Sequence, residues 1–114
     1  MGQESRRQHR IAVALEVRVR GEDPNGVPFE ESTHSSDVSR GGCSFETERA
    51  IPEGASLEIE ILRRPLGRRE QPPFITTASV VRSSASNEGR HVVGVQFTGP
   101  QFPTFSGEDS TATL

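Results

Sequence analysis

Two short clusters of polar residues have the types and spacing that suit an anionic ligand. The first is Arg6-Arg7-Gln8-His9-Arg10, and the second, about 30 residues later, is Asp37-Val38-Ser39-Arg40-Gly41-Gly42. Guanidinium groups bind phosphate with two hydrogen bonds and stack on planar rings. A carboxylate and a hydroxyl can bond to a base edge, and glycine allows close backbone approach. Together the clusters predict a two-part site for a ligand that carries phosphate and a purine edge.

Each cluster also has an ordinary explanation when it is taken alone. All 13 basic residues are arginine, so an Arg-x-x-x-Arg spacing arises easily by chance. The same spacing recurs from Arg64 to Arg68, in a segment that we interpret as a solvated loop. Asp, Ser and Gly commonly close turns through local hydrogen bonds. Asp is scarce in this chain, however, and each cluster directly precedes a predicted strand. This context favours the ligand site.

Hydrophobic periodicity predicts six short strands and no long helix. Apolar and polar residues alternate, most clearly in residues 11–20, 56–62 and 91–97, as expected for half-buried strands. The other predicted strands are residues 27–35, 42–47 and 75–82, and residues 37–42 are predicted to form a turn. The pattern indicates an all-β fold, either a small antiparallel barrel or a sandwich.

Composition narrows the class of protein. The chain has 114 residues, a net charge of −3 and one cysteine, Cys43. This length predicts one domain, and the single cysteine excludes an internal disulfide, which fits a cytoplasmic protein. The net charge does not favour DNA, and no apolar run is long enough for membrane insertion. His9, His34 and His91 lack the spacing of metal ligands or a catalytic triad, so we do not expect an enzyme.

At this point the sequence resembles the PilZ domain family. The two clusters match the family's Arg-x-x-x-Arg loop and its (Asp/Asn)-x-Ser-x-x-Gly turn, and Val80-Val81-Arg82 with Gly94-Val95-Gln96-Phe97 resembles its closing strands. The resemblance implies a six-stranded antiparallel PilZ-type β-barrel and a bacterial receptor for cyclic di-GMP. This receptor would need no other cofactor.

The resemblance also implies roles for individual residues. Arg6 and Arg10 would contact phosphates and guanine edges, and Arg7 would stack on or clamp a second guanine. Asp37 would accept hydrogen bonds from guanine, and Ser39 would donate or accept one. Gly41 and Gly42 would let the backbone approach the purine. The expected ligand-binding residues are therefore Arg6, Arg7, Arg10, Asp37, Ser39, Gly41 and Gly42.

We expect the chain to consist of three segments and to act as a receptor. Residues 1–10 would be a flexible N-terminal ligand-binding loop, residues 11–98 the barrel, and residues 99–114 a disordered tail with little or no helix. The chain would act as a stand-alone receptor that relays cyclic di-GMP to a partner effector protein in motility, exopolysaccharide or related signalling. One alternative is a PilZ-like interaction module that does not bind nucleotide. Another is a single-stranded nucleic-acid binder, which the absence of Tyr and Trp disfavours.

Overall fold

The described part of the protein is a closed antiparallel barrel. The computed structural model describes residues 12–63, 65 and 67–103. Six strands form within these ranges: β1 (Glu16–Glu22), β2 (Pro28–Ser39), β3 (Gly42–Thr47), β4 (Ser56–Ile61), β5 (Phe74–Ala85) and β6 (His91–Phe97). They follow the order β1-β2-β3-β6-β5-β4, and β4 pairs with β1 to close the barrel. The prediction of a six-stranded antiparallel barrel is confirmed.

The barrel interior is filled by one side of each strand. Successive side chains of a strand point to opposite faces, so the alternating apolar residues all face inward. Phe45 is fully buried at the centre. Around it lie the apolar residues Val17, Val19, Val38, Ile59, Ile61, Val80, Val93 and Val95, all at most 3% exposed. The opposite side of each strand is left for polar residues, and the candidate site lies on that outer side.

Two strands are longer than the sequence pattern predicts. We predicted that residues 37–42 form a turn and that the fifth strand ends at residue 82. Instead, β2 continues through Ser39 and β5 continues through Ala85, so both strands have 12 residues. The turn is reduced to Arg40 and Gly41. The polar residues that look like turn signals are the outward-facing positions of strands whose other side is buried.

The first strand begins later than predicted, at Glu16 instead of residue 11. The residues before it are held by Ser35 of β2. The hydroxyl of Ser35 donates to the carbonyl of Val13 at 2.5 Å and accepts from the amide of Leu15 at 3.0 Å. The side chain of Ser35 therefore ties the residues before β1 to β2, beside the backbone hydrogen bond from the amide of Ser35 to the carbonyl of Leu15.

The segment after β6 covers one end of the barrel. Phe102 is only 6% exposed, and its ring packs edge-on against Phe74 with 5.1 Å between the centroids. The hydroxyl of Thr76 also donates to the carbonyl of Pro100 at 2.7 Å. Residues 99–103, which we assigned to the tail, therefore pack on the barrel. Residues 1–11 and 104–114 lie outside the described ranges.

Candidate functional site

The predicted residues Asp37 and Ser39 lie on the outer face of four consecutive strands. Cross-strand pairing aligns two rows on this face, and directly paired side chains share one side of a sheet. The first, which we call the Asp37 row, contains Asp37 of β2, Ser44 of β3, Gly94 of β6 and Arg82 of β5. The second, the Ser39 row, contains Ser39, Gly42, Gln96 and Ser79 on the same strands. The Asp37 row has the small residues Ser44 and Gly94 in its middle, and the Ser39 row has Gly42 beside Gln96. We call the outer surface along the two rows the trough.

Two bulges put the charged ends of the Asp37 row on this face. The register of β2 shifts between Ser35 and Asp37, and the register of β5 shifts between Val80 and Arg82. Each shift inserts one extra residue into its strand. Without the shifts, Asp37 would pair with Cys43 and Arg82 with Val93, both of which are buried core residues. The bulges therefore turn a carboxylate and a guanidinium away from the core and onto the trough.

The turn between β2 and β3 brings Ser39 and Gly42 together. Ser39 is 1% exposed, and its hydroxyl donates to the carbonyl of Gly42 at 3.3 Å. Gly42 does not have a positive φ, but a Cβ at this position would overlap the carbonyl oxygen of Val95 on β6. The glycine is therefore required by the close approach of β3 and β6. The expected approach of the backbone at Gly42 to the purine remains a prediction.

A cavity of about 260 Å³ opens beside the Ser39 row. Its lining includes Ser39, Gly42 and Gln96 of the row, together with Val81 and Gln101. Val81 is the extra residue of the β5 bulge and is 51% exposed, although its side chain is apolar. The cavity therefore combines hydrogen-bonding amides and a hydroxyl with one apolar wall, a suitable lining for a planar polar ring.

Backbone hydrogen bonds hold the motif turn to the end of the barrel. The carbonyl of Gly41 accepts from the amide of Phe97 at 2.8 Å, and the carbonyl of Arg40 accepts from the amide of Phe102 at 3.0 Å. Because Phe102 is itself packed in the core, the turn is fixed on the side of β6 and the following segment. The site is thus built on rigid elements instead of a free loop.

A second charged cluster lies on the face formed by β1, β2 and β4. Arg20 donates to the carboxylate of Glu60 at 2.9 Å, and Glu30 and Glu58 lie within 3.9 Å of the same guanidinium. The hydrogen bond to Glu60 raises the pKa of Arg20 above its ordinary value, against a smaller opposing effect of desolvation. These carboxylates already partner arginines, so this cluster is best explained as a stabilising network of the barrel wall.

The structure brings together part of the predicted site. Asp37, Ser39, Gly41 and Gly42 lie side by side at the β2–β3 turn, whereas Arg6, Arg7 and Arg10 lie outside the described residues. The sequence analysis did not predict a site role for the residues that β3, β5, β6 and the segment after β6 contribute: Ser44, Val81, Arg82, Gly94, Gln96 and Gln101. Val80-Val81-Arg82 and Gly94-Val95-Gln96-Phe97 did give a signal, but it indicated the closing strands instead of a site.

The described ranges show neither a metal site nor a membrane span. No group of three or more His, Cys, Asp and Glu side chains within these ranges could hold a metal ion. No helix within the same ranges is long and apolar enough to cross a bilayer.

Comparisons with solved structures confirm this fold. The chain is similar to the Bacillus subtilis inhibitor of motility MotI/DgrA, with a TM-score of 0.62 and 20% identity over 90% of this chain and 44% of that one. It is similar to K. pneumonia MrkH in a complex with c-di-GMP, with a TM-score of 0.56 and 18% identity over 82% of this chain and 43% of MrkH. It is also similar to the PilZ domain of Escherichia coli YcgR with c-di-GMP, with a TM-score of 0.50 and 19% identity over 81% and 76% of the two chains.

The family follows from a match to the chain's own sequence. The chain spans less than half the length of the MotI and MrkH structures. No curated protein matches it. The family model described as the PilZ domain, however, matches residues 4–105. Because this match includes both motifs and all six strands, the chain belongs to the PilZ domain family.

Proposed function

We propose that this PilZ domain is a receptor for cyclic di-GMP, which it holds between the N-terminal arginines and the trough formed by the Asp37 and Ser39 rows. The observation that carries the proposal is the β2 bulge, which turns Asp37 outward beside Ser39 and the cavity. The structures of MrkH and of the YcgR PilZ domain, which have similar folds, were determined with c-di-GMP. Their ligand supports the same ligand class here.

The residues of the trough suit a guanine edge. An ionised carboxylate only accepts hydrogen bonds, so Asp37 can bind the N–H groups of guanine but repels phosphate. Ser39 can bond to the same base, and Gly41 and Gly42 let the turn backbone approach it. Recognition of the base would therefore come from β2 and its turn. The phosphates need cations, and we assign these to Arg6, Arg7 and Arg10.

The short length of chain between the arginine cluster and Val13 would let the cluster reach Asp37. The carbonyl of Val13 is hydrogen-bonded to Ser35, which lies only two residues before Asp37. Val13 is three positions after Arg10 in the chain, and three steps of fully extended chain span at most about 11 Å. An arginine side chain at position 10 would therefore be able to approach the trough. This short connection supports a joint site for the two motifs.

The binding test is calorimetric titration with cyclic di-GMP. We expect wild-type protein to bind, and Asp37→Ala and Arg10→Ala to weaken binding by about 1.5–3 kcal/mol each, or about ten- to hundredfold. Glu58→Ala is the matched control, because Glu58 is an exposed carboxylate on β4, outside the trough. It should leave the affinity unchanged.

Each outcome of this titration has a defined meaning. If the wild type binds but Asp37→Ala and Arg10→Ala match the control, the site assignment is wrong. If the wild type does not bind, the proposal is overturned. The chain is then better explained as a PilZ-like interaction module that works without nucleotide.

The output would be a signal to a partner protein in the cytoplasm. Ligand phosphates would neutralise the like-charged arginines of residues 5–10 and fold this segment onto the trough, which would create a new partner surface. Amide hydrogen exchange at residues 5–10 should slow when cyclic di-GMP is added. Unchanged exchange in a ligand-saturated sample would contradict this relay, although not the binding itself.

A further inference from the structure

We propose that a groove between the β1–β2 hairpin and the outer face of β4 and β5 is a docking site for a basic, extended segment of a partner protein. This groove, which we call the β4 groove, has a volume of about 820 Å³, and its lining includes Arg20, Glu22, Ser56, Leu57, Glu58 and Ser79. Its role in signalling rests on the proposed function, for which it supplies the surface and the chemistry of the partner.

The β4 groove forms where the ladder between two strands stops early. β1 runs to Glu22 and β4 begins at Ser56, but the pairing of the two strands ends before either residue is reached. The amide of Leu62 donates to the carbonyl of Glu16, and hydrogen-bonded pairs alternate along an antiparallel ladder. Glu22 and Ser56 would form the next hydrogen-bonded pair, so their backbone groups are directed into the groove that both residues line. Backbone groups at a strand edge of this kind bind an extended peptide.

The floor of the β4 groove is apolar and its outer wall is built from small side chains. Leu57 and Ala78 line the groove and are at most 4% exposed, so they form the floor. The wall carries four hydroxyl side chains, which belong to Ser56, Thr77, Ser79 and Thr98. The groove reaches across β1, β4 and β5, or about two strand spacings of 4.8 Å each, which accommodates about three residues of extended chain.

The β4 groove carries an excess of negative charge. Glu22, Asp23 and Glu58 line it together with a single cation, Arg20. That cation is already hydrogen-bonded to Glu60 at 2.9 Å. Among the described residues, Glu22 has no ion-pair partner. A docked segment must therefore bring positive charge, and Arg or Lys side chains on an extended strand would meet these carboxylates.

The β4 groove adjoins the trough at one residue. Ser79 pairs with Gln96 of the Ser39 row on one side and with Ser56 of the groove on the other. Ser79 thus belongs to the trough and also lines the groove. A segment docked at Ser56 lies one strand away from the trough, next to the proposed position of cyclic di-GMP. Ligand binding should therefore change the affinity of the docked segment.

The first experiment selects short random peptides, displayed on phage, on the wild-type protein with and without cyclic di-GMP. We expect the enriched peptides to be rich in Arg and Lys. A synthetic copy of the most enriched peptide should perturb the amide signals of Glu22, Ser56 and Thr77 in NMR spectra, and added salt should weaken its binding because exposed ion pairs are screened. Absence of enrichment, enrichment of acidic or neutral peptides, or perturbations elsewhere on the barrel would overturn the proposal.

The second experiment titrates the same peptide into variants of the β4 groove. Glu22→Gln and Glu58→Gln should each weaken binding about two- to fivefold, the usual effect of losing one exposed ion pair. Glu88→Gln is the matched control, because Glu88 is an exposed carboxylate between β5 and β6, outside the groove. It should leave the affinity unchanged. If the three variants bind alike, the peptide is attracted to an acidic protein in general, and the proposal is overturned.

A second copy of the chain is the other occupant that the experiments distinguish. Analytical ultracentrifugation of the protein alone should show a monomer at the concentrations used for titration. A dimer that Glu58→Gln dissociates would mean that a second copy fills the β4 groove, and the partner segment would be overturned.

The outcomes distinguish the β4 groove from the receptor function. If the wild type binds cyclic di-GMP but selects no basic peptide, the groove assignment fails and the receptor function stands. If a basic peptide binds the groove but cyclic di-GMP does not bind, the receptor function fails, and docking stands without control by the ligand.

Discussion

The amide of Phe102 donates to the carbonyl of Arg40 at 3.0 Å, so the segment after the last strand is tied to the turn of the Asp-x-Ser-x-x-Gly motif. The Phe102 ring anchors this link, because it is buried against Phe74 at the end of the barrel. The link gives the chain beyond β6 a direct contact with the candidate site. Changes in that segment should therefore affect both the stability of the barrel and its affinity for ligand.

We expect Phe102→Ala to lower the free energy of unfolding by about 3 kcal/mol, because it removes a buried ring and leaves a cavity. Urea denaturation monitored by far-UV circular dichroism measures this change. The same variant should bind cyclic di-GMP more weakly than wild type, since the motif turn loses its support. Phe102→Leu fills part of the cavity and should show a smaller loss of both. A Phe102→Ala protein as stable as wild type would mean that the ring does not belong to the core.

Gly42 and Gly94 should differ sharply in their tolerance of alanine. A Cβ on Gly42 would overlap a backbone carbonyl of β6, which cannot move aside without opening the β3–β6 pairing. We expect Gly42→Ala to cost about 1–3 kcal/mol of stability, as overpacking does in cores. Gly94→Ala serves as the control, because the atoms nearest to its Cβ belong to the Arg82 side chain. Equal urea midpoints for the two variants would contradict this account of Gly42.

Ser39→Ala should separate the structural and ligand-binding roles of the motif serine. The variant loses the hydrogen bond to the carbonyl of Gly42, which should lower the free energy of unfolding by about 1 kcal/mol. If Ser39 also contacts the ligand, its affinity for cyclic di-GMP should fall as well, under conditions where the variant is fully folded. Titration and denaturation of the same preparation give the two values. Unchanged affinity would leave Ser39 as a turn residue only.

The cluster of Arg20 and Glu60 should stabilise the barrel without an alkaline pH dependence. The hydrogen bond to Glu60 raises the pKa of Arg20 above its already high ordinary value in the folded state, so the stabilisation is fully present at neutral and mildly alkaline pH and is lost only at extremely alkaline pH. We expect Arg20→Met to destabilise the protein equally at neutral and at mildly alkaline pH, whereas the exposed loop variant Arg68→Met should not. Thermal unfolding at the two pH values checks this. A loss that changes between them would point to another titrating group.

The sequence pattern predicted the strands whose periodicity is regular. β3 and β6 have the predicted bounds, Gly42–Thr47 and His91–Phe97, because alternating apolar residues report directly which side of a strand is buried. The motif residues Asp37, Ser39 and Gly42 could be identified for the same reason, since they are close in the chain. The ends of β2 and β5 were predicted poorly, because their outward polar residues have the composition of turns.

The all-β fold, the family and the part of the candidate site at the β2–β3 turn therefore follow from the sequence. That Asp37 and Arg82 lie at the two ends of one outward-facing row follows from strand pairing in the folded protein. They are 45 residues apart, and each reaches that face through a bulge, whose position depends on hydrogen bonds to a neighbouring strand. A shift of one residue moves a side chain from one side of a sheet to the other. The register of β2 with β3 and of β5 with β6 thus places these charges outside the barrel, and no local pattern in the sequence specifies it.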